Sequence, residues 1–254
     1  MAKIYCFTST GNSLYTARKI AKEIGASISP MKNVSEVCDD NLIGFVFPVF
    51  FWGMPRMVER FVSGIQISNK NAYIFAVSTS GGSVFGALGR LKKKLRLKGA
   101  KLSFGINLVS ITNYLPEYKV KDSEEKRNKI DAEICTIIES IQTKKSNHIM
   151  HFTLMNKIAY SFMPGEGSDK SFTISSDCTG CAICEGICPA DNIIMTAGKP
   201  TFTHKCEHCL ACLHICPVCA IDWKEKTHGK DRYRREGISI DELLSLNGDS
   251  SFLL

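Results

Sequence analysis

Nine of the chain's twelve cysteines lie between Cys178 and Cys219. Eight of them form two copies of one frame, Cys178-x-x-Cys181-x-x-Cys184-x-x-x-Cys188-Pro189 and Cys206-x-x-Cys209-x-x-Cys212-x-x-x-Cys216-Pro217, repeated at an interval of 28 residues. Three thiolates three residues apart wrap one face of a cubane iron–sulfur core as the chain loops around it. The fourth, followed by a proline that forces the chain away, reaches a second core. The spacing therefore predicts two [4Fe–4S] clusters, one on Cys178, Cys181, Cys184 and Cys216, the other on Cys206, Cys209, Cys212 and Cys188. Zinc also takes CxxC pairs, but four ligands from two pairs give no reason for the doubled frame. His204, His208 and His214 lie close by; with every frame position filled by cysteine, they are expected beside the ligands or at the surface. Cys219 falls outside the frame and is expected as a small buried apolar residue.

A second set of residues suggests anion binding. Thr8-Ser9-Thr10-Gly11-Asn12-Ser13 supplies four hydroxyls and a glycine between an apolar run and an amphipathic one. A helix N-terminus at the end of a strand favours an anion, and hydroxyls add donors without bulk. The segment is neither a GK[ST] loop nor a GxGxxG fingerprint. Pro48-Val49-Phe50-Phe51-Trp52-Gly53 places three aromatics in succession after another apolar run, where a planar ligand is their natural partner. Ser78-Thr79-Ser80-Gly81-Gly82-Ser83 follows a third run, with paired glycines that let backbone approach a ligand closely.

The elements that must position these residues alternate. Strands are expected at residues 4–7, 27–29, 42–47, 72–77 and 102–108. Helices are expected from Leu14 to Ile24, from Pro55 through Ile65, over 86–97 and over 123–143, each with apolar residues three and four apart. This is the pattern of an α/β doubly wound, five-stranded parallel sheet. In such a sheet the loops after the first, third and fourth strands meet at the topological switch point. Residues 148–164 read as a linker helix. The segment after residue 225 reads equally as a short helix or an unfolded end.

The anion loop, together with Ala17 and Ile20 behind it, resembles the phosphate loop of flavodoxins, and residues 48–55 and 78–83 resemble the flavin-flanking loops of that fold. The resemblance implies FMN, with its phosphate on residues 8–13 and its ring against Phe50, Phe51 and Trp52. The cysteine frames resemble those of bacterial two-cluster ferredoxins. Nearly the whole chain is similar to fused flavodoxin–ferredoxin proteins of anaerobes. This implies a flavodoxin-like domain at 1–147, a linker helix at 148–168, a small α+β two-cluster ferredoxin domain at 169–225 and a tail at 226–254.

Charge is divided unevenly. Residues 1–150 hold 22 Lys and Arg against 12 Asp and Glu, whereas residues 151–254 hold 10 against 13. Flavodoxins are typically acidic, so the basic first part departs from that family. With 44% apolar residues and no run of about 18 for a membrane helix, a core-forming chain without a transmembrane segment is expected. Nothing at the N-terminus reads as an export signal, which makes a cytoplasmic location the expectation. The function expected is an electron carrier passing single electrons between the clusters and FMN, with redox proteins and no nucleic acid as partners. The rival is an FMN-dependent oxidoreductase fed through the clusters. The flavin loops contain no His, Asp, Glu or Cys to serve as proton donor, which favours the carrier.

Overall fold

The structure, a computed structural model, describes residues 1–32, 34–82, 84, 86–150, 161, 163–164 and 167–247. The chain forms two compact units that interleave in sequence. The first comprises Met1–Phe7, Asn12–Ile111 and Asp122–Met163; the second comprises Thr8–Gly11, Thr112–Lys121 and Pro164–Leu254.

The first unit is built on β1 (Ala2–Cys6), β2 (Ser27–Pro30), β3 (Leu42–Pro48), β4 (Tyr73–Ser80) and β5 (Leu102–Val109), all parallel, in the order 2-1-3-4-5. This is the flavodoxin-like order of a doubly wound sheet, with its switch point between β1 and β3. The central strands are buried on both faces and so read as continuous apolar runs: Ile43, Phe45, Val46 and Phe47 on β3, and Ile74, Phe75, Ala76 and Val77 on β4. Gly44 interrupts the first run for a steric reason, since a Cβ there would stand 2.4 Å from Cζ of Phe75. Val37–Cys38 and Gln66–Ile67 form a separate two-stranded parallel ladder.

The helices follow the apolar periodicity. Helix α1 (Asn12–Ile24) buries Leu14, Ala17, Ile20 and Ala21, and α2 (Arg56–Gly64) buries Met57, Val58, Phe61 and Val62. Pro55 stands just ahead of α2 as its N-cap residue rather than in its first turn. Helix α3 (Ala87–Leu97) carries much of the basic run, part of which is neutralised: Arg90 and Lys94 both reach Glu59 of α2, at 2.8 and 3.0 Å. Helix α4 (Glu124–Gln142) starts at Ser123, whose hydroxyl accepts the Lys126 N–H at 3.3 Å. Strands β3 and β4 run further than the apolar pattern suggests. Pro48, Ser78, Thr79 and Ser80 are strand residues, because ladder pairing continues through Pro48 with Thr79 and through Ser80 with Val109. Most of the expected linker helix, residues 151–160, 162, 165 and 166, lies outside the described residues.

The second unit repeats a strand–helix–strand pattern. Its first half is β6 (Phe172–Ile174), α5 (Ile183–Gly186) and β7 (Ile193–Thr196). Its second half is β8 (Lys199–Phe202), α6 (Ala211–Ile215) and β9 (Ile221–Trp223). Pairing is exchanged between the halves, β6 with β9 and β7 with β8, both antiparallel. The core joins Phe172, Ile193, Leu210, Leu213 and Ile221 to Leu115 and to the sulfur-bearing Cys188 and Cys212. The segment after β9 ends in α7 (Ile240–Asn247), closed by a capping box in which Ser239 N–H donates to Glu242 and Glu242 N–H to Ser239. Among the described residues no helix is long and apolar enough to cross a membrane.

Candidate functional site

In the first unit the carboxyl ends of β1, β3 and β4 are tied together. Val49 N–H donates to the Thr79 carbonyl at 2.8 Å, the Ser13 and Thr79 hydroxyls are 2.8 Å apart, and the rings of Phe7 and Phe50 meet edge to face at 5.9 Å. Phe50 and Gly53 exchange backbone hydrogen bonds at 3.1 and 2.8 Å across a two-residue turn. Both turn residues, Phe51 (φ 47°) and Trp52 (φ 61°), are in the left-handed region. Such turns normally use Asn and Gly, and an L side chain there costs about 1–2 kcal/mol. Trp52 is nonetheless 51% exposed, so burial of its ring does not offset that strain. Strained residues of this kind cluster at ligand sites, and the half-exposed indole leaves a ring face open at the switch point.

Beside it, the Ser78 hydroxyl donates to Asn107 Oδ1 at 3.0 Å, Asn107 Nδ2 donates to Ser80 Oγ at 3.0 Å, and Ser80 Oγ donates to the Gly82 carbonyl at 2.6 Å. Asn107, a lone amide in the apolar run of β5, fixes these hydroxyls; its polarity within that run was the available signal. Among the described residues, a Cβ on Gly82 would meet nothing within 4 Å. Ser83 lies outside the described residues.

Thr8–Gly11 cluster with the second unit. Within the loop, Gly11 (φ 100°) donates its N–H to Thr8 Oγ1 at 3.1 Å. Three distant residues hold it: Asn113 Nδ2 donates to Thr10 Oγ1 at 2.5 Å, Arg235 N–H to the Thr10 carbonyl at 2.8 Å, and Asn247 Nδ2 to the Thr8 carbonyl at 3.2 Å. A Cβ on Gly11 would stand 3.1 Å from Cβ of Arg235 and 3.2 Å from Ile238. Sequence reasoning missed Asn113, Arg235 and Asn247. Each lies more than a hundred residues from the loop, with no local signal.

In the second unit, Cys178, Cys181, Cys184 and Cys216 line one small pocket. Cys188, Cys206, Cys209 and Cys212 line another. None of the twelve cysteines is in a disulfide. Backbone N–H groups point at three of the sulfurs: Asn192 to Cys188 at 3.3 Å, His208 to Cys206 at 3.2 Å and Ala220 to Cys216 at 3.3 Å. Burial pushes the Cys184 thiol up to about 11 and the Cys206 thiol up to about 12; burial reinforced by neighbouring thiols holds Cys209 and Cys212 well above the ordinary range. Thiols in that state become ligands only where a cationic core displaces their protons. Among the described residues no group of three or more His, Cys, Asp or Glu is arranged to hold a metal ion.

The histidines have other tasks. His204 Nδ1 lies 2.7 Å from the buried Asp169 carboxylate, and the His208 ring packs among Tyr114, Phe172 and Trp223. His214 bonds to Asn113 and Tyr233. Cys219 is exposed, at a left-handed corner (φ 51°), rather than buried, because the chain turns outward there after Pro217.

No family model matches the sequence, and no curated relative matches it. Solved structures resemble about half of the chain. A Megasphaera elsdenii flavodoxin is 17% identical over 43% of this chain and 86% of its own, with a TM-score of 0.36. An FMN-dependent NADH-azoreductase from Bacillus anthracis, in complex with FMN, is 10% identical over 55% of this chain and 98% of its own, with a TM-score of 0.39. Likenesses this distant carry no functional inference; the flavodoxin-like fold stands on the strand order 2-1-3-4-5.

Proposed function

We propose that this chain is an electron-transfer protein carrying two [4Fe–4S] clusters and a bound FMN. The observation that carries the proposal is the division of eight thiols into two sets of four about two cavities, each set drawing three cysteines from one frame and the fourth from the other. That exchange has a physical basis in the crossed strand pairing and is the ligation expected of two cubane clusters, whereas it serves no purpose for two zinc ions. Cys178, Cys181, Cys184 and Cys216 would hold one cluster and Cys188, Cys206, Cys209 and Cys212 the other. The N–H groups of Asn192, His208 and Ala220 would stabilise their sulfur charge.

FMN would be held by residues 8–13 at its phosphate and by Phe50, Phe51, Trp52 and the backbone of residues 78–82 at its ring. In its favour is the turn strained around Trp52. The two domains proposed are 1–147 and 169–225, joined by residues 148–168. Bound FMN supplies a centre that accepts two electrons and releases them singly, and each cluster a centre for one. The residues of this chain exclude water and fix geometry. The absence of acid or base side chains from the flavin loops supports carriage over turnover of a substrate.

The test is an anaerobic redox titration of the full chain followed by EPR and absorbance. Two one-electron cluster centres and one flavin, titrating in a single protein, are expected. A chain in which no iron–sulfur signal develops after reconstitution refutes the proposal.

A further inference from the structure

His214 lies in α6, between Cys212 and Cys216, and is buried. Both of its ring nitrogens are engaged. The Tyr233 N–H donates to Nδ1 at 3.1 Å; a backbone amide can only donate, so Nδ1 is the acceptor. The proton is thus on Nε2, which donates to the Asn113 carbonyl at 2.8 Å. The two segments that the ring bridges then both reach Thr10. The Asn113 side chain donates to the Thr10 hydroxyl, and Arg235, two residues beyond Tyr233, donates its N–H to the Thr10 carbonyl. His214, Asn113, Thr10, Arg235 and Tyr233 therefore form a closed circuit of hydrogen bonds and short stretches of backbone. Thr10 and His214 are both almost inaccessible to water, at 1% and 4% exposed. In that setting each hydrogen bond is electrostatically strong, and losing one leaves a buried group unsatisfied.

We propose that His214 is a positioning residue that ties the Thr8–Gly11 loop to the helix of the second cysteine frame, so that the grip on a flavin phosphate depends on a residue set between cluster cysteines. The proposal rests on the flavin reading and adds to it the route by which the phosphate loop is held in shape. Its signature is selectivity for the phosphate. A loop that loses its support loses affinity for FMN but not for riboflavin, which lacks the phosphate.

The experiment titrates FMN and riboflavin into the flavin-depleted full chain under anaerobic conditions, with iron quantified in the same samples. His214→Leu and Asn113→Ala are each expected to weaken FMN binding about fivefold to tenfold, the effect of losing one or two buried hydrogen bonds. Riboflavin affinity and iron content should stay at wild-type values. Asn113→Ala removes only the bond to Thr10 and tests the loop end of the circuit; if His214→Leu fails to assemble clusters, His214→Ala tests the histidine itself, with the same selective loss of FMN affinity expected. Wild-type FMN affinity in Asn113→Ala, or an equal loss of FMN and riboflavin, overturns the proposal. A wild-type chain that takes up neither flavin overturns the flavin reading itself, a different result from failure of the variants.

Discussion

Ala182 and Leu210, 28 residues apart, have the same left-handed backbone, with φ of 60° and 61°, and each stands immediately before a short helix bearing the third cysteine of its frame. The repeat of the cysteines is thus also a repeat of conformation. Gly180 and His208 share positive φ, as do Asp191 and Cys219. The amides of Asn192 and Ala220, also 28 residues apart, donate to the sulfurs of Cys188 and Cys216 at 3.3 Å each. The left-handed residues turn the chain sharply enough for successive cysteines to face one cavity.

Conformational strain at these corners can be measured at Ala182, which is partly exposed. A left-handed L residue costs about 1–2 kcal/mol, partly offset in the glycine variant by the greater entropy of its unfolded chain. Ala182→Gly should raise stability by about 0.5 kcal/mol, and Ala182→Val should lower it by about 1–2 kcal/mol, because a β-branched side chain fits this region worst. Anaerobic denaturant titration of the three proteins should rank them Gly, Ala, Val. Equal midpoints for Ala and Val would mean that the corner relaxes and does not aim the cysteines.

Cys188 follows the three cysteines of the first frame in sequence but lines the cavity of the second. Cys188→Ala should therefore damage the cluster held with Cys206, Cys209 and Cys212, lowering iron from about eight atoms towards about four. Iron analysis and EPR should find the cluster of Cys178, Cys181, Cys184 and Cys216 intact. Loss of that cluster, with the other retained, would refute the crossed assignment.

The turn at Trp52 sets stability against binding. Trp52→Gly removes a strained, half-exposed side chain, so the thermal midpoint of the flavin-free protein should hold or rise. Loss of the aromatic contact should weaken FMN binding by about threefold to tenfold. A fluorescence titration gives the affinity and a melt gives the midpoint. Unchanged affinity would show that the indole does not touch the flavin.

Much of this architecture was legible because its signals are local. The apolar runs ending at Phe47 and Val77 gave the central strands, and the spacing of cysteines gave the repeat. What the sequence concealed depends on long-range pairing. Ser78 to Ser80 read as a loop by their polarity, yet ladder bonds to Pro48 and Val109 carry the strand through them. Asn113 and Arg235 carry no motif; they matter because the fold brings segments 100 and more residues away onto Thr10. Cys219 read as buried by residue type, but its place at a left-handed corner turns it outward.

Two cubane clusters and one flavin on a single chain would fix its cofactor content. The most direct test is the cofactor content of the anaerobically purified and reconstituted full chain, by iron, acid-labile sulfide and flavin analysis on the same sample. About eight iron atoms, about eight sulfides and one FMN per chain are expected. Zinc in place of iron, or iron without flavin after full reconstitution, would contradict that expectation.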